Sequence, residues 1–383
     1  MVPVLKKMAE QECEIIALAR QDSPAYKIFQ SGGFTSKEFG LRFRSWEEEN
    51  RKRAAEAVKM MQLLKRLRPD FVLVGVSTFN YGTEKMAVRC ARVLGIPIAF
   101  LIVESWPHLW LTNFGKRDIP IYQRSDLIMV MDEISKNKMM EAGFDQEKIV
   151  ITGNPGHEEH AKLQVDYNCR KEISKRVRSS KLGCGEEDLV LTFAITNNLE
   201  RGQLDIEPTD PRWLGFRESE VLGEFLEAVF EIQKFRPCRA VIRIKPGRER
   251  EPIQEIAHRL CPNALLIGEE VRDGKEVILA SDVVVGTVSI FLQEANYLKV
   301  PAISYLPNLS RENPQEANRL GIVHTILGNL EEHRLQHCLL DLAAHQEQQM
   351  KMLGQKIKWL QLKEGASDRV VQALVGMFSY QYG

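Results

Sequence analysis

Apolar positions along this chain fall into two rhythms. Short unbroken apolar runs, FVLVGV at 71–76, IAFLIV at 98–103, LIMVM at 127–131, KIVIT at 148–152, LVLTFAI at 189–195, RAVIRI at 239–244 and VVV at 283–285, read as strands covered on both faces. Between them, apolar residues recur at three- and four-residue spacing. Helices are predicted over 84–94, 134–142, 219–233, 251–260, 290–298 and 365–378, with a longer helical stretch over 330–363. The charged stretch 45–67 is predicted as a long amphipathic helix with Trp46, Val58, Met61, Leu64 and Leu67 at helical spacing. Strand alternating with helix predicts parallel sheets joined by right-handed crossovers. The expectation is an α/β protein with parallel sheets, and 383 residues suit two domains.

The opening departs from that alternation. A helix is predicted over 2–11 and a strand over 14–18 (EIIAL), then a helix from Ser23-Pro24 to the Ser31-Gly32-Gly33 stop. An α/β domain of this kind opens on a strand, and here the chain begins inside the first helix. The first strand of the N-terminal sheet is expected to be missing, through a misassigned start codon or trimming ahead of a genuine loss.

One stretch concentrates the chemistry, ASDVVVGTVSIFLQEANYLKVPAISYLP at 280–307. A buried strand ends at Gly286, Thr287 and Ser289 offer hydroxyls at the turn, and a helix follows that carries Glu294. Such a turn presents backbone N–H groups, and the helix N-terminus adds roughly half an elementary charge of dipole. Glu294 could accept two hydrogen bonds from a ribose diol. The competing reading is an ordinary strand–helix–strand unit with a polar turn.

Other candidates sit at the carboxyl ends of predicted strands, where open parallel sheets bind ligands. Glu104 and His108 follow the strand at 98–103 and are candidate acid/base groups. Arg243 and Lys245 flank the end of RAVIRI, whose alternation predicts an exposed Arg243; both suit a phosphate. Asn197 and Asn198 follow LVLTFAI at another such strand end. Trp106 and Trp110 lie in WPHLWLTNF before Lys116-Arg117, and read as core, as a lid, or as a peripheral membrane contact. His157 and His160 make an HxxH without a third partner, a poor metal motif read as solvated helix-face histidines.

Two motifs carry a family resemblance: GTVSIFLQEA followed by VP, and RSDLIMVMDEISKNKMMEAGFDQEKIVITGNP at 124–155. They resemble the GT-B nucleotide-sugar glycosyltransferases and the non-hydrolysing UDP-sugar 2-epimerases that share their fold. The resemblance implies that the 286–289 loop holds a pyrophosphate, that Glu294 holds the ribose, and that Gly-Asn-Pro at 153–155 begins the crossover between domains. It implies two Rossmann-like domains facing a cleft, an N-terminal acceptor domain at 1–154 and a nucleotide-sugar domain at 188–362, joined by a linker at 155–187, with a terminal helix at 363–383 packing back on the first. Asn197 and Asn198 stand where the family places a loop facing the donor, which makes them candidate donor contacts. Glu104 matches the epimerases' glutamate, but Ser105-Trp106-Pro107 does not continue their Ala-Gly-Leu-Arg. Gly286-Thr287-Val288-Ser289 likewise replaces their Asp-Ser-Gly-Gly.

Composition narrows the rest. The 383 residues carry 52 Lys+Arg and 52 Asp+Glu, so no bulk attraction to nucleic acid is expected. Seven cysteines without a CxxC pair fit reduced thiols rather than a disulfide frame or a zinc site. No apolar run is long enough for a transmembrane helix, no Asp-x-Asp metal clamp occurs, and no cofactor is called for. The sequence therefore predicts a cytoplasmic enzyme, at most peripheral at the inner membrane face. It would move a sugar, metal-independently, from a nucleotide-sugar (UDP-sugar) donor to a saccharide or lipid-linked hydroxyl. The alternatives are 2-epimerisation and an inert binding protein.

Overall fold

The computed structural model of the chain describes residues 2–19, 24–39, 46–75, 83–103, 119–196, 208–210, 213–244, 250–268, 271 and 273–379. They divide into unit 1, residues 1–159 with 363–383, and unit 2, residues 160–362.

Unit 1 begins with α1 (Val2–Glu10), β1 (Ile16–Ala19), α2 (Pro24–Ser31), β2 (Thr35–Glu38), α3 (Trp46–Leu67) and β3 (Val72–Val74). It continues with α4 (Thr83–Leu94), β4 (Ile98–Leu101), α5 (Ile119–Tyr122), β5 (Leu127–Val130), α6 (Glu133–Glu141) and β6 (Ile149–Ile151). Strands β3-β4-β5-β6 form a parallel sheet, and β1-β2 form a separate parallel pair. Successive side chains of β4 and β5 serve two cores, as the two-residue period requires. Ile98, Phe100, Ile128 and Val130 join Met60, Leu64 and Val88 of α3 and α4. Ala99, Leu101, Leu127 and Met129 join Val4 and Met8 of α1 on the other face.

Unit 2 follows α7 (Glu158–Val165) and α8 (Tyr167–Val177) with β7 (Leu189–Ala194), α9 (Glu218–Ile232), β8 (Cys238–Arg243), α10 (Glu251–Leu260), β9 (Leu265–Ile267), α11 (Gly274–Ala280) and β10 (Val283–Gly286). Then come α12 (Ile290–Tyr297), β11 (Ala302–Pro307), α13 (Glu316–Arg319), β12 (His324–Gly328), α14 (Arg334–Ala344) and α15 (Gln346–Lys356). Its six strands are all parallel, in the order β9-β8-β7-β10-β11-β12. The order reverses direction between β7 and β10, the switch point of a doubly wound sheet. The last helix, α16 (Ala366–Ser379), returns to unit 1, where Val370, Val371 and Leu374 complete the core of α1, β4 and β5.

Both units use the same edge device. A Ser-Asp dipeptide precedes β5 and β10, and its aspartate exchanges two bonds with a neighbouring strand. Ile98 N–H donates to Asp126 Oδ2 at 2.9 Å, and Val190 N–H to Asp282 Oδ2 at 2.7 Å. The aspartate N–H returns a bond to the same residue's carbonyl at 2.8 Å in each case.

Several expectations are corrected. The 330–363 stretch is two helices broken at His345, whose backbone leaves the helical region. His160 is buried rather than on a solvated face. Arg243 is also buried, because β8 is covered on both faces at its carboxyl end and alternation no longer sorts inside from outside. Among the described residues no helix is long and apolar enough to cross a membrane.

Candidate functional site

The site lies at the switch point of unit 2, where β7 and β10 run side by side and end together at Ala194 and Gly286. A Cβ on Gly286 would meet the Ala194 carbonyl oxygen at 3.0 Å, so glycine lets the strands reach the turn in close register. Beyond the strand ends, the Thr196 and Thr287 hydroxyls meet at 2.7 Å. Glu218, the first residue of α9, accepts from the Thr196 N–H at 2.7 Å and from the Thr287 hydroxyl at 3.3 Å. The Thr287 hydroxyl is thus committed to holding the strand ends together. What the turn offers a ligand is its backbone.

Ser289 caps α12, its Oγ accepting from the Phe291 N–H at 3.3 Å. A third layer fixes the turn from the β11 side. The Ser304 hydroxyl donates to the Thr287 carbonyl at 2.6 Å and accepts from Asn318 Nδ2 at 2.8 Å. Gln315 Nε2 donates to the Ser289 carbonyl at 2.7 Å. The two amide oxygens, Gln315 Oε1 and Asn318 Oδ1, are buried without a hydrogen-bond partner among the described residues. Buried acceptors of that kind cost stability unless something donates to them.

Charge gathers around the same turn. Arg243 ends β8 and donates from Nη1 to the Gly268 carbonyl at 2.5 Å. Lys275 and Asp273, 3.1 Å apart, open α11. Glu294 sits one turn into α12. Burial pushes its carboxyl above the usual range; Lys275 and Arg243 pull it back, while Asp273 adds to the rise. His160 packs edge-on to Tyr297 at 6.1 Å between ring centres, and burial with Lys275 nearby lowers its pKa to about 4. The neighbourhood is a backbone N–H turn with two cations and a partly desolvated carboxyl. It can take an anion and, beside it, a pair of hydroxyl donors.

Of the residues singled out in the sequence, the structure brings Arg243, Gly286, Thr287, Ser289 and Glu294 together around this turn. Glu104, His108, Asn197, Asn198, Lys245, Trp106 and Trp110 lie outside the described residues. Sequence reasoning did not find Lys275, Asp273, Glu218, Gln315 or Asn318. Only Asp273-Gly274, a helix-start signal before the apolar run 277–280, marks one of them. Among the described residues no group of His, Cys, Asp and Glu could hold a metal ion.

No protein-family model matches the sequence, and no curated protein matches it significantly. Solved structures do. UDP-GlcNAc 2-epimerase from Neisseria meningitidis, bound to UDP-GlcNAc, is similar at TM-score 0.66 and 16% identity, over 98% of this chain and 96% of that one. The fold is GT-B. A putative UDP-N-acetylglucosamine 2-epimerase from Listeria monocytogenes is similar at TM-score 0.65 and 16% identity, over 99% of this chain and 93% of that one. MurG from Acinetobacter baumannii follows at TM-score 0.57 and 13% identity, over 98% and 94%. The GT-B likeness therefore spans nearly the whole chain, at identities that speak to fold alone.

Proposed function

We propose that this chain is an enzyme acting on a nucleotide-sugar, with the nucleoside diphosphate held in unit 2, and that its reaction is 2-epimerisation of a UDP-sugar. The observation that carries this reading is the coincidence of place. The N–H turn, Arg243, Lys275 and the desolvated Glu294 all gather at the switch point of a doubly wound sheet, where that fold takes its ligands. In this reading the 286–289 backbone and Arg243 neutralise the diphosphate, aided by Lys245, and Glu294 accepts the ribose diol. UDP is the nucleotude of choice because the similar GT-B structures include ones described with UDP, UDP-GlcNAc and UDP-glucose. Epimerisation is placed first because the structures described as UDP-GlcNAc 2-epimerases are similar at TM-scores of 0.63 to 0.66, against 0.57 for MurG and 0.54 and 0.56 for HepE. Glu104 and His108 are the proposed acid/base groups in the elimination and re-addition of the nucleotide.

A second reading is glycosyl transfer to an acceptor hydroxyl. Ser105-Trp106-Pro107 after Glu104, and the replaced Asp-Ser-Gly-Gly turn, favour it. One incubation separates the two. With a UDP-sugar and no acceptor, an epimerase yields a new sugar nucleotide, seen by anomeric-proton NMR. A transferase leaves the donor unchanged until an acceptor is added. UDP binding with no turnover under either condition would overturn both and leave a binding protein.

A further inference from the structure

Helix α12 carries both parts of the proposed nucleotide site, the 286–289 turn at its amino end and Glu294 one turn in. Its 8 residues span only about 12 Å. Two carboxamides hold its far end. Asn296 of α12 is 1% exposed and Gln164 of α7 is 5% exposed. Burying a carboxamide is costly unless each of its groups is bonded, and these two are bonded throughout. Asn296 Nδ2 donates to the carbonyls of Ile322 at 2.8 Å and Lys358 at 3.0 Å, and Oδ1 accepts from the Leu360 N–H at 3.0 Å. Gln164 Nε2 donates to the carbonyls of Tyr297 at 3.0 Å and Leu360 at 2.8 Å, and Oε1 accepts from the Leu362 N–H at 2.9 Å.

The residues gripped, 358–362, form a strap with neither helix nor ladder. Each carboxamide brackets one strap residue. Asn296 takes the carbonyl before Trp359 and the N–H after it, and Gln164 does the same around Gln361. A residue of a parallel strand takes its neighbour in this way, so the two side chains stand in for a strand and set the strap's register. Lys299 adds a bond from Nζ to the Leu360 carbonyl at 2.8 Å. Capping α12 would need only its last carbonyls to be met, as Arg170 meets that of Leu298 at 3.0 Å. The hold on the strap goes beyond a cap. It also gathers both stretches beside the points where the chain passes between units, 159–160 and 362–363.

We propose that Gln164 and Asn296 are positioning residues for the nucleotide site. They lock α7, the strap and the carboxyl end of α12 into one body, fix the helix axis, and so hold the 286–289 turn in its binding geometry. A buried polar network with every group bonded is rigid, and a short packed helix carries a displacement from end to end. Filling the turn therefore tightens the strap, and loosening the strap weakens the turn, by the same factor. The identity of the ligand rests on the nucleotide-sugar reading; the clamp does not.

The test is amide hydrogen exchange with and without UDP, joined to UDP affinity by calorimetry. In the unsubstituted chain UDP is expected to slow exchange at Leu360 and Leu362 about fivefold or more, with 265–267 of β9 unchanged. Protection confined to 286–297 overturns the proposal, and this comparison stands whether or not a variant folds. Gln164→Met keeps the length of the side chain and removes its bonds. It is expected to weaken UDP about fivefold to tenfold and to abolish the response at Leu362. Leu342→Ala, a cavity in the core far along the chain in α14, lowers stability without touching the clamp and is expected to leave the UDP affinity of the folded protein unchanged. An equal loss of affinity in both variants overturns the proposal. If UDP does not bind the unsubstituted chain, the nucleotide reading fails, and the clamp is judged without ligand. Gln164→Met is then expected to speed exchange about fivefold at Phe291 and Leu292, whose N–H groups are held by Ser289, and unchanged rates there overturn it.

Discussion

Glu294 and His160 are the two residues whose titration reads out the site. In the proposed complex, a ribose diol donates to the ionised Glu294 carboxylate, whose protonated form burial favours in the free protein. UDP binding is therefore expected to release a proton, and affinity to rise with pH from the ordinary glutamate range up to the raised pKa. Titration calorimetry in buffers of different ionisation enthalpy checks this. Glu294→Gln is expected to weaken UDP roughly tenfold to a hundredfold, the worth of about 1.5–3 kcal/mol in charged hydrogen bonds, and to abolish the proton release. His160 works on stability instead. Its folded pKa of about 4 lies below the unfolded 6.5, so the stability it contributes is present above pH 6.5 and lost as pH falls toward 4. The loss is on the order of 3 kcal/mol. Urea unfolding of His160→Phe at pH 7 and pH 4.5 is expected to show a correspondingly smaller difference between the two than the unsubstituted protein. Glu294 runs the other way, its raised pKa costing stability as pH climbs. Gly286→Ala is expected to cost about 1–3 kcal/mol, since its Cβ presses on a carbonyl in a central strand that has little room to yield. A lower denaturation midpoint at unchanged slope would register it.

At the scale of elements, Arg178 ties several parts of unit 2 together. It ends α8, donates to the carbonyls of Ala280, Glu186 and Asp188, and pairs with Asp282 at 2.9 Å. That aspartate is the one that closes the amino ends of β7 and β10. Arg178→Ala is expected to destabilise by about 3–5 kcal/mol, because a largely buried network loses its cation and Asp282 keeps its charge. Chemical denaturation followed at Trp359 checks it. Which elements could be read from the sequence follows from the same burial. β4, β5, β7, β10 and β11 are enclosed on both faces and appear as apolar runs. β2, written Thr-Ser-Lys-Glu, and β12, with its half-exposed face, are sheet edges that carry no such signal and were not foreseen. The turn at 286–289 was legible because strand, turn and helix are contiguous. Lys275, Gln315 and Asn318 were not, because only tertiary packing brings them beside it.

At the scale of the molecule, the GT-B fold was legible from strand–helix alternation and two motifs, whereas the chemistry was not, because the motif positions that distinguish epimerase from transferase are the ones where this chain departs. Unit 1 is discontinuous in sequence, and α16 supplies Val370, Val371 and Leu374 to its core. The helix is also tied down by Arg369 Nε donating to the Thr152 carbonyl at 2.8 Å and by Lys7 against Asp368 at 2.6 Å. Removing 363–383 is expected to unfold unit 1, since several buried aliphatic side chains at about 2–5 kcal/mol each rival the whole stability of a domain. Hydrogen exchange would then show β3–β6 unprotected and β7–β12 still protected. The same discontinuity sets an order of events on the ribosome. All of unit 2 is translated between the two parts of unit 1, which at about 5–20 residues per second takes roughly 10–40 s. Throughout that interval Leu101 and Met129 have α1 but not α16 to pack against, so the nascent chain is a natural client for a chaperone until its last turns emerge.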